Sequence, residues 1–187
     1  LEGQMAEAGN RVHQARVQAL EYLQKAQAES ETAFPTAELE LIQSEGAMPN
    51  SEEDLREALA ESRFRDLAAG RTLVGPHRSD LIGTYAAKGV PAKDCSTGEQ
   101  KALLVSLILA NARALAQREG APPMLLLDEV AAHLDAERCA ALYDEICGLG
   151  AQAWMTGTGP ELFATFGGRA QIFEVTEESG QSWVQQA

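Results

Sequence analysis

The chain has 187 residues, a formal net charge of −13 and 45% hydrophobic residues, enough for one domain with a sizeable core or one domain plus part of another. That charge excludes a surface that binds nucleic acid over its whole extent, because phosphates need a local basic patch. No apolar run has the length of a bilayer span, and the opening Leu1-Glu2-Gly3-Gln4 has neither the basic nor the apolar part of a signal peptide, so no membrane partner is expected. The first residue is not Met, which leads us to expect that the true start lies upstream. Cys95, Cys139 and Cys147 are odd in number and form no C-x-x-C pair, so reduced thiols are expected rather than a disulfide framework or a zinc site.

In chain order, residues 11–30 are predicted to form a helix, with Val12, Ala15, Ala19, Leu23 and Ala26 on one narrow, Ala-rich stripe suited to close packing on another helix. Phe34-Pro35 ends it. Residues 37–44 alternate Leu39 and Leu41 with Glu38 and Glu40, the pattern of a strand with one wet face. A turn is expected over 46–49, then a helix from Ser51 to about Ala69, started by a serine cap with acids behind it. From 63 to 78, arginines 63, 65, 71 and 78 and His77 face a single acid, Asp66, a local basic strip on an acidic protein. Beyond Gly70 strands and helices alternate: strands at 72–74 and 81–85, a helix over 98–118, a strand at 124–127 and a helix over 136–147. A strand at 152–156, a short helix at 160–166 and terminal strands near 172–175 and 183–184 follow. This is the rhythm of an α/β protein. The division expected is part of a helical lobe over 1–70 and an α/β lobe over 71–187. Trp154 and Trp183 are expected to pack the sheet rather than stack on bases.

The chemistry gathers in three places. Met124-Leu-Leu-Leu-Asp128-Glu129 is an apolar strand ending in two acids and looks like a Walker B motif. A buried parallel strand delivers its last carboxylate to the crevice at the carboxyl edge of a sheet, where ligands collect. Asp128 would hold magnesium through water, and Glu129 would polarise the water attacking a γ-phosphate. Leu134-Asp135 lies at D-loop spacing beyond, with His133 before it, facing a partner subunit or solvent. Upstream, Ser96-Thr97-Gly98-Glu99 opens an apolar helix. Its free N–H groups, the Ser96 hydroxyl and the bare Gly98 suit a γ-phosphate, while Ser96 and Glu99 also read as a capping box.

The order of signature-like turn, helix, Walker B, D-loop, helix and strand resembles the C-terminal half of an ABC-type ATPase head. No Gly-Lys dipeptide occurs, so no G-x-x-x-x-G-K-[ST] Walker A loop is present in this chain. Transporter heads place a histidine after the strand that follows the D-loop; here that strand ends Thr156-Gly157-Thr158, and a γ-phosphate contact would fall to Thr156 or Thr158.

The segment Gly75-Pro76-His77-Arg78-Ser79-Asp80, with Asp128-Glu129-Val-Ala-Ala-His133-Leu134-Asp135 and the threonine-rich strand end, resembles RecF, over roughly residues 65–175. The resemblance implies a cytoplasmic bacterial ATPase of DNA replication and repair that binds ATP and Mg2+ and dimerises on ATP. It further implies action at gapped DNA with RecO and RecR, with duplex and junction DNA contacted mainly through the half of the head this chain lacks. With half of each composite site absent, the chain alone is expected to be inactive. His77, Arg78 and Asp80 either approach nucleotide, dimer face or DNA, or build a turn with Arg78 and Asp80 paired. The rival readings are another SMC-like or transporter head, and a non-catalytic interaction module.

Overall fold

A computed structural model describes residues 1–43, 48–49 and 51–186. Residues 46 and 47 of the turn expected over 46–49 lie outside the described residues, as does the side chain of His133.

Helix α1 (Glu2–Ala28) starts well before residue 11, because its first turns are rich in Glu, Gln, Met and Ala, which lose little side-chain freedom in a helix. Its buried residues are Ala6, Gly9, Ala26 and Gln27. The expected stripe is corrected here: Val12, Ala15 and Ala19 are exposed, and only Leu23 and Ala26 of that set meet the protein. Small residues set the contact instead. A Cβ added at Gly9 would lie 3.0 Å from Leu55 Cδ2 and 3.2 Å from Pro76 Cδ, so glycine allows the close approach. Ala6 packs with Met48, Leu55 and Leu59, and Val74 closes on that cluster.

Strand β1 (Ala37–Gln43) is tied to α1 by two glutamine side chains. The buried Gln27 amide donates to Ala37 O at 3.1 Å and accepts from Ala37 N at 2.9 Å, and Gln24 donates to Leu39 O at 2.9 Å. The Gln27 amide thus pairs with the start of β1 as a neighbouring strand would, which satisfies buried backbone groups. Helix α2 (Glu52–Ala69) is capped by Ser51, whose hydroxyl accepts from Asp54 N, and ends at Gly70 with φ 64°, a left-handed C-terminal stop that glycine takes without steric cost.

Residues 72–74 form no strand, contrary to expectation. Side chains claim their backbone: Leu73 N donates to Asp66 Oδ1 at 3.0 Å, and Thr72 O accepts from His77 Nε2 at 2.9 Å. Gly75, at φ 130°, leads into a short 3-10 turn, Pro76–Arg78. Strands β2 (Ser79–Tyr85) and β3 (Val90–Pro91) then complete an antiparallel sheet in the order β1-β2-β3, with Ala37 opposite Tyr85 and Gln43 opposite Ser79. Ala37, Leu39 and Leu103 form its core cluster with Leu20, Leu23, Tyr85, Ala92 and Leu107; Leu103 and Leu107 come from helix α3 (Thr97–Glu119).

The chain divides into two compact units, Leu1–Ala114 and Leu115–Ala187. The first unit takes in residues on both sides of Gly70, since β1 lies before it and its partner β2 after it.

In the second unit β4 (Leu125–Leu127) pairs in parallel with β5 (Ala153–Met155), joined through α4 (Ala136–Leu149), as a parallel pair requires. Tyr143 of α4 stacks on Phe166 of a 3-10 segment (Pro160–Arg169), with centroids 3.8 Å apart, and donates to Leu162 O at 2.7 Å. Burial pushes the Tyr143 hydroxyl up to about 12. Strands β6 (Phe173–Glu178) and β7 (Gln181–Gln186) close the unit as a hairpin. Trp154 is 55% exposed beside Leu126, its register partner at 74%, and Trp183 is 58% exposed. The expectation that both tryptophans pack a sheet is not met within this chain, because the faces they occupy are uncovered.

Candidate functional site

The acids after β4 are placed by the parallel pair. Leu125 and Leu127 are buried while Leu126 faces out, so the strand is anchored through alternate residues. Leu125 N donates to Gln152 O, and beyond the strand Thr156 N donates to Leu127 O at 3.1 Å, extending the ladder to the carboxyl end. Asp128 emerges there exposed and Glu129 half-buried. The Thr156 hydroxyl stands between them, donating to Asp128 Oδ1 at 2.5 Å and accepting from Glu129 N at 3.0 Å. Glu129 has φ 53°, a left-handed backbone that costs a non-glycine residue strain and is held only where neighbours enforce it.

The chain leaves Glu129 through a 3-10 turn (Ala131–His133) and enters α4 at Asp135. Asp135 is an exposed N-cap whose Oδ1 accepts from Arg138 N at 2.8 Å, a local cap of the usual kind. After β5, Gly157 is required by close packing: a Cβ there would lie 2.8 Å from Phe163 Cζ. A side chain at the position next to Thr156 would have to displace the Phe163 ring, and Thr158 is the next exposed hydroxyl.

At the head of α3, Ser96, Thr97 and Gly98 are exposed. Ser96 and Glu99 form the reciprocal box read from the sequence. Glu99 Oε2 accepts from Ser96 N and from Ser96 Oγ, each at 2.9 Å, and Glu99 N donates back to Ser96 Oγ at 3.3 Å. Gln100 Nε2 donates to Lys93 O and Cys95 O, which fastens the approach to the helix. Lys88, from the turn between β2 and β3, pairs with Glu99. The Lys88 ammonium, then the Ser96 N–H and hydroxyl, hold the Glu99 carboxyl at about 2, below its ordinary 4.5. Because that value is depressed, the box is fully held above the ordinary carboxylate range and is lost as pH falls through about 2. A carboxyl-carbon NMR titration is expected to place the Glu99 midpoint near 2, and Lys88→Met should move it upward; a midpoint unmoved by that change would show that Lys88 does not stabilise the carboxylate.

The remaining candidates divide. His77 Nε2 is committed to Thr72 O and Asp80 Oδ1 to its neighbour Leu81 N, so both serve the turn that starts β2. Arg78 lies in the same turn. In the basic strip Arg63 is bound by both carboxylate oxygens of Glu2, a bidentate pair, whereas Arg65 and Arg71 are exposed. The Lys88–Glu99 pair and the Thr156 bridge were absent from the sequence reading. The first joins a turn to a helix start and left no local signal. The second could have been found from the parallel register, which puts Thr156 one step past Met155 beside Asp128.

No group of three or more His, Cys, Asp or Glu that could hold a metal exists among the described residues. One exposed carboxylate with a hydroxyl beside it nonetheless fits a magnesium ion that takes most of its oxygens from water and phosphates.

Among solved structures, the fold is similar over all of this chain to a RecF bound to ATP, described as the recombination mediator protein of the RecFOR pathway, with a TM-score of 0.69, 24% identity and 49% of that chain covered. It is also similar to an SMC ATPase described in terms of ATP-driven dimerisation and DNA-stimulated activation, with a TM-score of 0.52 and 17% identity over 95% of this chain and 89% of that one. The fold is thus shared with these ATP-bound and ATPase structures, and in it the paired acids stand at the carboxyl end of a parallel strand. No protein-family model matches the chain. Among curated relatives it is 48% identical to the DNA replication and repair protein RecF of Rhizobium etli, over 95% of this chain and 49% of that protein, and 48% identical to RecF of Brucella abortus, over 94% and 48%. The chain is similar over nearly its whole length to RecF proteins, and it spans about half the length of the curated relatives it matches.

Proposed function

We propose that the chain supplies the signature, Walker B and D-loop half of an ATP-driven DNA replication and repair ATPase. The observation that carries this reading is the placement of Asp128 and Glu129 at the carboxyl end of β4, bridged by the hydroxyl of Thr156 just past β5. The identity of almost half over nearly the whole chain to RecF proteins supports it.

In this reading ATP lies between the Walker A loop of one subunit and Ser96 to Gly98 of the other. The phosphate meets the free N–H groups of the first turn of α3, where the helix dipole favours negative charge. Glu129 orients and deprotonates the attacking water. Asp128 would hold the magnesium ion, which would supply charge neutralisation on the phosphates. Asp135, at the start of α4, faces the partner subunit. ATP closes a homodimer on DNA, and hydrolysis opens it. Action at gapped DNA with RecO and RecR, in the bacterial cytoplasm, belongs to the same reading through the likeness to RecF. The uncovered faces of Leu126 with Trp154 and of Trp183 fit a protein whose remaining half packs against them.

The test is sedimentation of the full-length protein with and without ATP and magnesium, beside the 187-residue chain alone. Dimers that form only with ATP, together with a chain that neither binds ATP tightly nor hydrolyses it, are expected. Tight ATP binding by the chain alone would contradict the composite site.

A further inference from the structure

We propose that Thr156 is a positioning residue of the hydrolytic site, whose hydroxyl sets Asp128 and Glu129 relative to each other, and that it is not a ligand of the γ-phosphate. This rests on the ATPase reading above and adds a role within it.

The inference follows from what a threonine can offer. Its hydroxyl has one proton and two acceptor lone pairs. The proton is committed to Asp128 Oδ1 at 2.5 Å, the short distance of an O–H donor on a charged acceptor. One lone pair is committed to Glu129 N at 3.0 Å. The backbone N–H of Thr156 goes to Leu127 O. What remains on this residue can only accept, and phosphate oxygens are acceptors too, so Thr156 has no proton for a γ-phosphate. Gly157 cannot take over with a side chain, since Phe163 occupies the space a Cβ would need.

The same bonds explain the backbone of Glu129. A glutamate at φ 53° needs something to hold it, and the bond from its N–H to Thr156 Oγ1 is the contact that does so. The carboxylate of Asp128 is turned by the same hydroxyl. The residue just past β5 therefore sets the geometry of both acids across 27 and 28 residues of chain. A hydroxyl with this role acts on the rate and on the magnesium requirement. A phosphate ligand would act on nucleotide affinity.

The experiment uses the full-length ATPase with Thr156→Val and Thr156→Ser, each alone and with Glu129→Gln. Valine keeps the shape and removes both hydrogen bonds. Thr156→Val is expected to lower kcat about 10- to 100-fold, the scale of a small misplacement at a reacting centre, and to raise the magnesium concentration for half-maximal rate several-fold. ATP affinity should stay within about twofold, because no contact to the nucleotide is lost. Thr156→Ser, which keeps the hydroxyl, should recover most of the rate and the magnesium dependence. With Glu129→Gln present, Thr156→Val should leave ATP-dependent dimers intact. Weakened ATP binding or loss of those dimers with the magnesium dependence unmoved would make Thr156 a phosphate ligand and overturn the proposal; an unchanged kcat would overturn it as well. Should Thr156→Val fail to fold, Thr156→Ala takes its place, since it too removes the hydroxyl: a raised magnesium requirement with ATP affinity kept supports positioning, and weakened ATP binding opposes it. If Glu129→Gln alone traps no dimers, the ATPase reading has failed, whatever Thr156 does.

Discussion

Glu129→Gln in the full-length protein is expected to lower ATP turnover by about 10²- to 10⁴-fold, the usual contribution of a positioned general base, and to leave ATP-bound dimers that persist. The substitution is nearly isosteric. It keeps the backbone at its left-handed φ of 53° and keeps the N–H that Thr156 Oγ1 accepts. It removes only the carboxylate able to take a proton from water. Binding and closure depend on other groups, so the closed state should accumulate. Single-turnover hydrolysis and size-exclusion chromatography with ATP and magnesium read the two effects separately. Parent-rate hydrolysis by this variant would remove Glu129 from the role of base and reopen the assignment of the β4 acids.

Ser96→Arg is expected to abolish ATP-dependent dimerisation at working concentrations while nucleotide binding by the rest of the head is kept. Ser96 is exposed at the start of α3, and the contact proposed above needs the N–H groups there to be open to a partner's nucleotide. An arginine there occupies that space and removes the hydroxyl that closes the capping box with Glu99. A hydrogen bond from a backbone N–H of the first turn of α3 to a phosphate is worth about 1.5–3 kcal/mol. A symmetric dimer repeats the contact at two sites, so about 3–6 kcal/mol is lost, roughly 10²- to 10⁴-fold in dimer affinity at about 1.4 kcal/mol per factor of ten. Equilibrium sedimentation with a non-hydrolysed ATP analogue measures it, and fluorescent nucleotide binding is the control. Dimerisation within about threefold of the parent would place the trans contact elsewhere than α3.

These two substitutions act on elements of different kinds, and the difference shows how the protein is specified. The helix cap at Ser96 and Glu99, the cap at Asp135 and the apolar strand ending in Asp128-Glu129 are local. Each is built by residues within a few positions of one another, through contacts the backbone geometry imposes wherever such residues occur. Those features, and the α/β alternation after Gly70, could be read from the sequence for that reason.

Other features required partners distant in the chain. The segment 72–74 has strand-like residues, but Asp66 and His77 take its backbone groups, and it becomes a loop. The Val12, Ala15 and Ala19 stripe of α1 is apolar by pattern, yet the close approach at Gly9 turns a different face inward. The compact unit reaches past Gly70 because β1 pairs with β2 from beyond it. The sequence by itself determined the identities and order of the chemical groups: a capped helix start, a strand ending in two acids, and a threonine-rich strand end. Only the tertiary structure decided how they are oriented, placing the Thr156 hydroxyl between Asp128 and Glu129 and Lys88 against Glu99. The physical reason is that capping and strand alternation follow from local backbone geometry, whereas a hydroxyl's choice of donor and acceptor depends on which strands pair and in what register.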